Sequence, residues 1–484
     1  MIIQRRGRNP SRSIPVGFAA LALGMAMAGG TLAADPFAFN NTVYPTADEW
    51  PGAIAPVGTF RTSNYAYPEA PVAATWVAGA GLPIGAAGLD QTTAPQYVAK
   101  VKEFLAANGI TGLVNDPHAW NPVVAGWYDM PWGGAGSPQA DGTINPFTGR
   151  DPIQGSYAGQ IIQSDTFYSA PPPGDYFENH SVVYYNDVAG AMLGQVWQNP
   201  FQPDPSAVNF PEGSIVVKVE GAAVEGWDAL EGSTPSWVYR PTAEAIVKAN
   251  SVHPTGLMQA EMVKMYFAQM AVKVRDSVAS PETGWVFIGF TYGKDICTNC
   301  EVWDKVVAVG AMWGNDPDCA RTSDGFCPNG APLQETWYNT NAPSWTQDSL
   351  GWGHRLAAPM DVAKRHNVIT LDGSRHSGAE DDQFAASSCM SCHGSAQYPF
   401  GANLYPSPNM VFPADGQEFL FYNPGSEQWA NWFQNRPPQV PMSAEGHAGA
   451  FVSLDYDMML TLALMTALSG AGDDAFLNNH QFGH

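Results

Sequence analysis

The sequence predicts an α+β chain: a β-rich main region, either an antiparallel sheet or a sandwich, followed by a mostly helical C-terminal module. Two observations carry this expectation. Between Ser214 and Met312, runs rich in β-branched and aromatic residues are bounded by Gly and Asp turn clusters, as half-buried strands require. Beyond Leu350 the pattern becomes a short segment bearing Cys and His, a Pro-rich stretch and a closing apolar helix.

The first 34 residues stand apart. Arg5, Arg6, Arg8 and Arg12 precede an apolar run from Ile14 to Ala28, and Thr31-Leu32-Ala33-Ala34 offers a small-residue cleavage site. That order is the order of a secretory signal peptide. Residues 1–34 are therefore expected to be removed on export, leaving a periplasmic or secreted chain. Residues 35–349 form the next region. It opens with a Pro-, Gly- and Trp-rich stretch that suggests loops, followed by a helix over 96–108 that Gly109 stops. A second helix is expected over 184–197, with Ala189, Ala191, Met192 and Val196 as its apolar face. Strands are expected at 214–219, 262–274, 285–292 and 303–312.

Residues 350–484 form the last region. A helix is expected over 381–396, and Pro399, Pro406, Pro408, Pro413, Pro437, Pro438 and Pro441 keep the following stretch irregular. The closing helix is expected to run from Ser453 as N-cap, with Asp455 and Asp457 in its first turn, to Gly470.

The chain carries 22 basic and 45 acidic residues, a net charge of −23. Loss of the four leader arginines leaves 18 basic residues and a net charge of −27. So acidic a surface excludes nucleic acid and anionic membrane as partners and favours a basic redox partner protein. The apolar stretch from Met458 to Leu468 is too short to cross a bilayer, so no membrane span is expected in the mature chain.

One motif carries chemistry. In Cys389-Met390-Ser391-Cys392-His393, two thiols three positions apart can each add to a vinyl group of one porphyrin. The adjacent imidazole can then reach the iron. This is the spacing of a c-type haem attachment site, and export agrees with it, because such haem is attached outside the cytoplasm. The expected cofactor is one covalent haem c, with Cys389, Cys392 and His393 holding it.

The order of attachment helix, irregular loop and terminal helix resembles the small monohaem cytochromes c, over the C-terminal region only. In that family the second iron ligand is a Met just ahead of the last helix. The resemblance thus implies Met442, in Gln439-Val440-Pro441-Met442, as the partner of His393 on the metal. Met410 is the alternative, and His447 and His376 are the histidine candidates. A thioether ligand raises the reduction potential and leaves no open iron site, which suits electron transfer.

A wider resemblance rests on 285–292 (WVFIGFTY), 309–317 (VGAMWGNDP), 350–356 (LGWGHRL) and 387–397 (SSCMSCHGSAQ). These segments are similar to parts of large exported monohaem "cytochrome c family" proteins of proteobacteria. That resemblance implies haem and export, and implies that the β-rich region and the haem segment belong together. It implies no substrate.

Four further cysteines, Cys297, Cys300, Cys319 and Cys327, are even in number, which in an oxidising compartment points to two disulfides. Cys297 with Cys300 is one pairing, and that couple crossed with Cys319 and Cys327 is the other. A four-thiolate zinc site and a redox-active Cys297–Cys300 pair are further alternatives. The function expected is electron transfer through the covalent haem. The alternative is a haem-dependent periplasmic oxidoreductase acting on a small molecule at an open haem or in the β-rich region.

Overall fold

The computed structural model describes residues 63–131, 137–138, 144–145 and 151–468, the last with interruptions at 152, 201, 240–261, 323–325, 363, 366–367, 377–383, 400–404, 409–418 and 443–450. Its centre is one antiparallel sheet that curls into a half-barrel. Eight strands build it. They are β1 Tyr157–Gln163, β2 Tyr176–Tyr185, β3 Ile215–Ala222, β4 Pro235–Tyr239, β5 Met262–Arg275, β6 Trp285–Tyr292, β7 Val306–Met312 and β8 Thr336–Tyr338. Their spatial order is β8-β7-β6-β5-β3-β2-β1. β4 pairs with Met262–Tyr266 of β5, end to end with β6, which pairs with Gln269–Arg275.

Side chains alternate along each strand, and both faces of the sheet are covered. Val217, Val219, Met270, Val272, Ile288 and Phe290 join one core. Helices α1 (Ala94–Ala107) and α2 (Ile110–Asn115) complete that core, α1 through Tyr97, Val98, Val101 and Leu105 on one stripe. Val183, Tyr185, Val216, Phe287 and Met312 join the other core. There they meet α3 (Asp187–Val196) and residues from the C-terminal region, among them Leu356, Met390, Tyr456 and Leu460. Cover on both sides explains why every residue of β6 is buried.

The expectation of an α+β chain with a mostly helical, cytochrome c-like C-terminal module is overturned. Among the described residues beyond 350, the α-helices are α4 (Cys389–His393), α5 (Glu427–Trp432) and α6 (Met458–Leu468). Between them lie short strand pairs. Lys364–Arg365 pairs with Phe384–Ala385, Val368–Thr370 with both Arg375–His376 and Phe419–Phe421, and Gln397–Tyr398 with Val452–Ser453. The region forms no helical module, and part of it closes the second face of the sheet.

Backbone hydrogen bonds explain the shortened helices. The helix expected over 381–396 begins only at Cys389, because Ser387 accepts from the Trp352 N–H at 3.0 Å and Ser388 is extended, with φ −145° and ψ 170°. The closing helix begins at Met458, because Ser453 is paired with Gln397 and both Asp455 and Tyr456 are left-handed. The helix expected over 184–197 starts at Asp187, because Tyr184 and Tyr185 finish β2. Asn186 then caps the turn, its Oδ1 accepting from the Ala189 N–H at 3.1 Å.

The four cysteines outside the Cys389–His393 motif form two disulfides, Cys297–Cys300 and Cys319–Cys327, with Cα–Cα separations of 6.1 and 4.1 Å. The crossed pairing and the four-thiolate zinc site are thereby removed. Among the described residues no helix is long and apolar enough to cross a membrane.

Candidate functional site

Cys389, Cys392 and His393 occupy positions i, i+3 and i+4 of α4 and so share one face. All three are partly exposed, while Met390 and Ser391 between them are fully buried. The short helix is fixed at its start by a capping box. The Ser391 N–H donates to Ser388 Oγ at 3.1 Å, and the Ser388 N–H donates to Ser391 Oγ at 2.8 Å. Neither Cys389 nor Cys392 is in a disulfide.

The His393 ring is held in one tautomer. Its Nδ1 lies 2.9 Å from the carbonyl oxygen of Tyr456. A carbonyl only accepts, so Nδ1 carries the proton and Nε2 keeps its lone pair. Among the described residues Nε2 has no hydrogen-bond partner. Phe287 of β6 packs against the same ring, centroids 4.9 Å apart. Burial, and then the Lys273 ammonium, push the His393 pKa down to about 4, so the imidazole is neutral at pH 7. Burial, and then Asp361, push the Cys389 thiol up to about 12, unlike a redox-active thiolate.

The carbonyl that orients His393 comes from a strained turn. Asp455 and Tyr456 have φ values of 53° and 62°, a region unfavourable to residues with a Cβ. Both are anchored. Asp455 accepts from Trp285 Nε1 at 2.9 Å and from the Phe210 N–H at 3.0 Å, and the Tyr456 hydroxyl donates to the Arg436 carbonyl at 2.8 Å. Several partners thus keep this backbone in a rare conformation with its carbonyl aimed at the His393 imidazole.

The four segments that the sequence singled out converge here. From 285–292, Phe287 touches the His393 ring and Trp285 anchors Asp455. From 309–317, the Asn315 side chain accepts from Ser388 Oγ at 3.0 Å. From 350–356, Leu356 accepts from the Cys389 N–H at 2.9 Å, and Arg355 reaches back to the Asn315 and Asp316 carbonyls. Gly351 is required, since a Cβ there would lie 1.9 Å from the Ser387 oxygen. The fourth segment contains α4 itself.

Met442 is 2% exposed and packs with Trp429, Trp432, Phe433 and Phe421, a cluster that Cys392 also touches. Met410 and His447 lie outside the described residues, and His376 ends a two-residue strand opposite Val368. Tyr456, Phe287, Lys273 and Arg355 escaped the sequence reading as site residues. Phe287 and Arg355 lie inside two of the segments that the sequence singled out, whereas Lys273 and Tyr456 lie outside them.

Behind α4, the Glu335 carboxylate accepts from the Asp316 N–H at 2.6 Å and from Asn435 Nδ2 at 2.8 Å. Burial, and then the adjacent Asp316 charge, raise its pKa to about 7. The folded state therefore holds this proton more tightly than the unfolded chain does. Its stabilising contribution is full below the ordinary pKa of 4.5 and is lost as pH rises through 7. Because the group is partly exposed, the expected loss is about 1–2 kcal/mol. Urea unfolding at pH 5 and pH 8 measures it. Glu335→Gln is expected to shrink the difference between the two pH values, and an unchanged difference in the variant counts against this assignment.

Comparison of the chain with protein-family models, with characterised proteins and with solved structures finds no match.

Proposed function

We propose that this protein is an exported c-type haem protein that transfers single electrons through one covalently bound haem. The observation that carries this reading is the geometry of His393. It is a neutral imidazole with Nδ1–H donated to Tyr456 and Nε2 left as a ligand, one position beyond a Cys on a face that bears two thiols outside disulfides. The donor set fits the group. Each S–H adds across one porphyrin vinyl, forming a C–S bond and a C–H bond, with no oxidant consumed. When bound, the haem supplies a one-electron ferric–ferrous couple.

In this reading Cys389 and Cys392 tether the porphyrin, His393 ligates the iron, and Phe287 with the Tyr456 carbonyl keeps the ring from turning. Met442 is the proposed second ligand, supported by its burial in the cluster that Cys392 touches. The two disulfides support an oxidising compartment such as the periplasm. The acidic chain supports a basic electron-transfer partner.

The test is a visible spectrum of protein produced with a haem-attachment system. The ferric form is expected to show the weak far-red band of Met ligation and no change with cyanide at moderate concentration. Met442→Ala is expected to remove that band and to lower the potential. A high-spin ferric spectrum that responds at once to cyanide or peroxide overturns the carrier and turns the reading to an oxidoreductase with an open iron.

A further inference from the structure

The Tyr456 carbonyl oxygen serves two donors. Besides the His393 Nδ1–H at 2.9 Å, it accepts from Lys273 Nζ, also at 2.9 Å. A carbonyl has two lone pairs, so both bonds can form at once. Lys273 is 5% exposed and well placed for this. Its ammonium lies 4.7 Å from the Trp285 ring centroid and 5.2 Å from that of Phe210, and it is 2.8 Å from Asp457 Oδ2.

A buried lysine is costly unless it is paired. Pairing with Asp457 explains how the charge is tolerated. It does not explain why the ammonium also sits on the one carbonyl that orients His393.

We propose that Lys273 is a tuning residue for the iron held by His393, raising its reduction potential by sharing the Tyr456 carbonyl with the imidazole; this rests on the haem reading of the Cys389–His393 motif.

The physical chain is short. An ammonium on the carbonyl oxygen draws electron density from it and makes it a weaker acceptor toward Nδ1–H. The imidazole then gains less imidazolate character, Nε2 is a poorer donor, and the ferric state loses more stabilisation than the ferrous state. Asp457 cancels much of the long-range field of the ammonium, so the effect runs through the shared oxygen. The strained turn at Asp455 and Tyr456 places the oxygen between the two donors.

Potentiometric titration of the holoprotein tests this, with haem per chain measured in each variant. In Lys273→Met the ferrous-to-ferric ratio at a fixed poise is expected to fall about tenfold, equivalent to about 59 mV for one electron. Asp457→Asn keeps the side-chain shape and the acceptor for the Tyr185 hydroxyl but leaves the ammonium uncompensated. It is expected to shift the ratio the opposite way, and it carries the test alone if Lys273→Met does not fold. A merely structural lysine would lower stability in both variants without opposite shifts in potential. Holoprotein variants with the wild-type potential overturn the proposal while leaving the haem reading intact. Wild-type protein that takes up no covalent haem overturns both.

Discussion

A Cys389→Ala/Cys392→Ala double variant, produced beside a haem-attachment system, is expected to fold and to carry no haem through denaturing electrophoresis, whereas the parent is expected to carry one per chain. The effect is all or none, because haem survives denaturation only through thioether bonds. Each single variant retains one thiol and is expected to keep a reduced amount of haem with one unreacted vinyl group, visible as a red-shifted reduced spectrum. Folding should survive, since both side chains are only partly buried at the edge of their clusters and each truncation removes a single sulfur atom. Truncation at such positions costs about 1 kcal/mol or less each. The other four cysteines serve as the control, because they are already paired with one another. Covalent haem in the double variant, or its loss in Cys297→Ser/Cys300→Ser alone, refutes the assignment.

Four of the eight sheet strands, β3, β5, β6 and β7, were legible in the sequence because their signal is local, while β1, β2, β4 and β8 were not. All of 216–219 but Lys218, and all of 286–290 but Gly289, are β-branched or aromatic, and such side chains pack well on a pleated surface wherever the sheet lies. The Cys389–His393 motif stood out because thiol, thiol and imidazole keep a fixed spacing. The C-terminal architecture was not legible, because backbone pairing at long range decides it. Ser387 and Ser453 are extended through bonds to Trp352 and Gln397, partners that no local pattern around 381–396 or 453–470 reveals. The Tyr456 carbonyl was invisible for a different reason. A backbone acceptor has no residue-type signature, and a left-handed Tyr flanked by two Asp residues resembles an ordinary helix start. Pairing of the cysteines likewise needed Cα separations. The four quoted segments were visible as strings, but only the structure turns them into one hydrogen-bonded frame around α4.

Arg355 is expected to be the most costly single truncation in that frame. Its side chain is fully buried, has no direct carboxylate partner among the described residues, and spends its fork on carbonyls. Nε donates to Asn315 at 2.6 Å, Nη1 to Trp352 at 2.9 Å and Nη2 to Asp316 at 3.0 Å. The guanidinium also lies 4.5 Å from the centroid of the Phe433 ring. Burial pushes its pKa down to about 10, against the Asp316 charge, so it stays protonated at pH 7. Arg355→Ala would remove three hydrogen bonds and open a cavity, leaving the Asn315 carbonyl without its donor while the Trp352 and Asp316 carbonyls keep the backbone N–H groups of residue 355 and Cys319, a loss of about 3–5 kcal/mol. Arg355→Met separates the two causes, since it refills the volume and restores none of the bonds. Arg355→Lys can recover only part, because a point ammonium cannot span three carbonyls that a planar fork reaches. The damage should extend to the site. Asn315 is the acceptor for Ser388 Oγ, and Ser388 starts α4, so a loosened Asn315 frees the helix that presents both thiols. Urea midpoints are therefore expected in the order wild type, Lys, Met, Ala, and haem per chain is expected to fall in the same order. If Met matches the wild type in both measurements, the three carbonyl bonds contribute nothing net and the fork is only filler. If stability falls while haem content holds, the link from Arg355 through Asn315 to α4 is broken at Ser388.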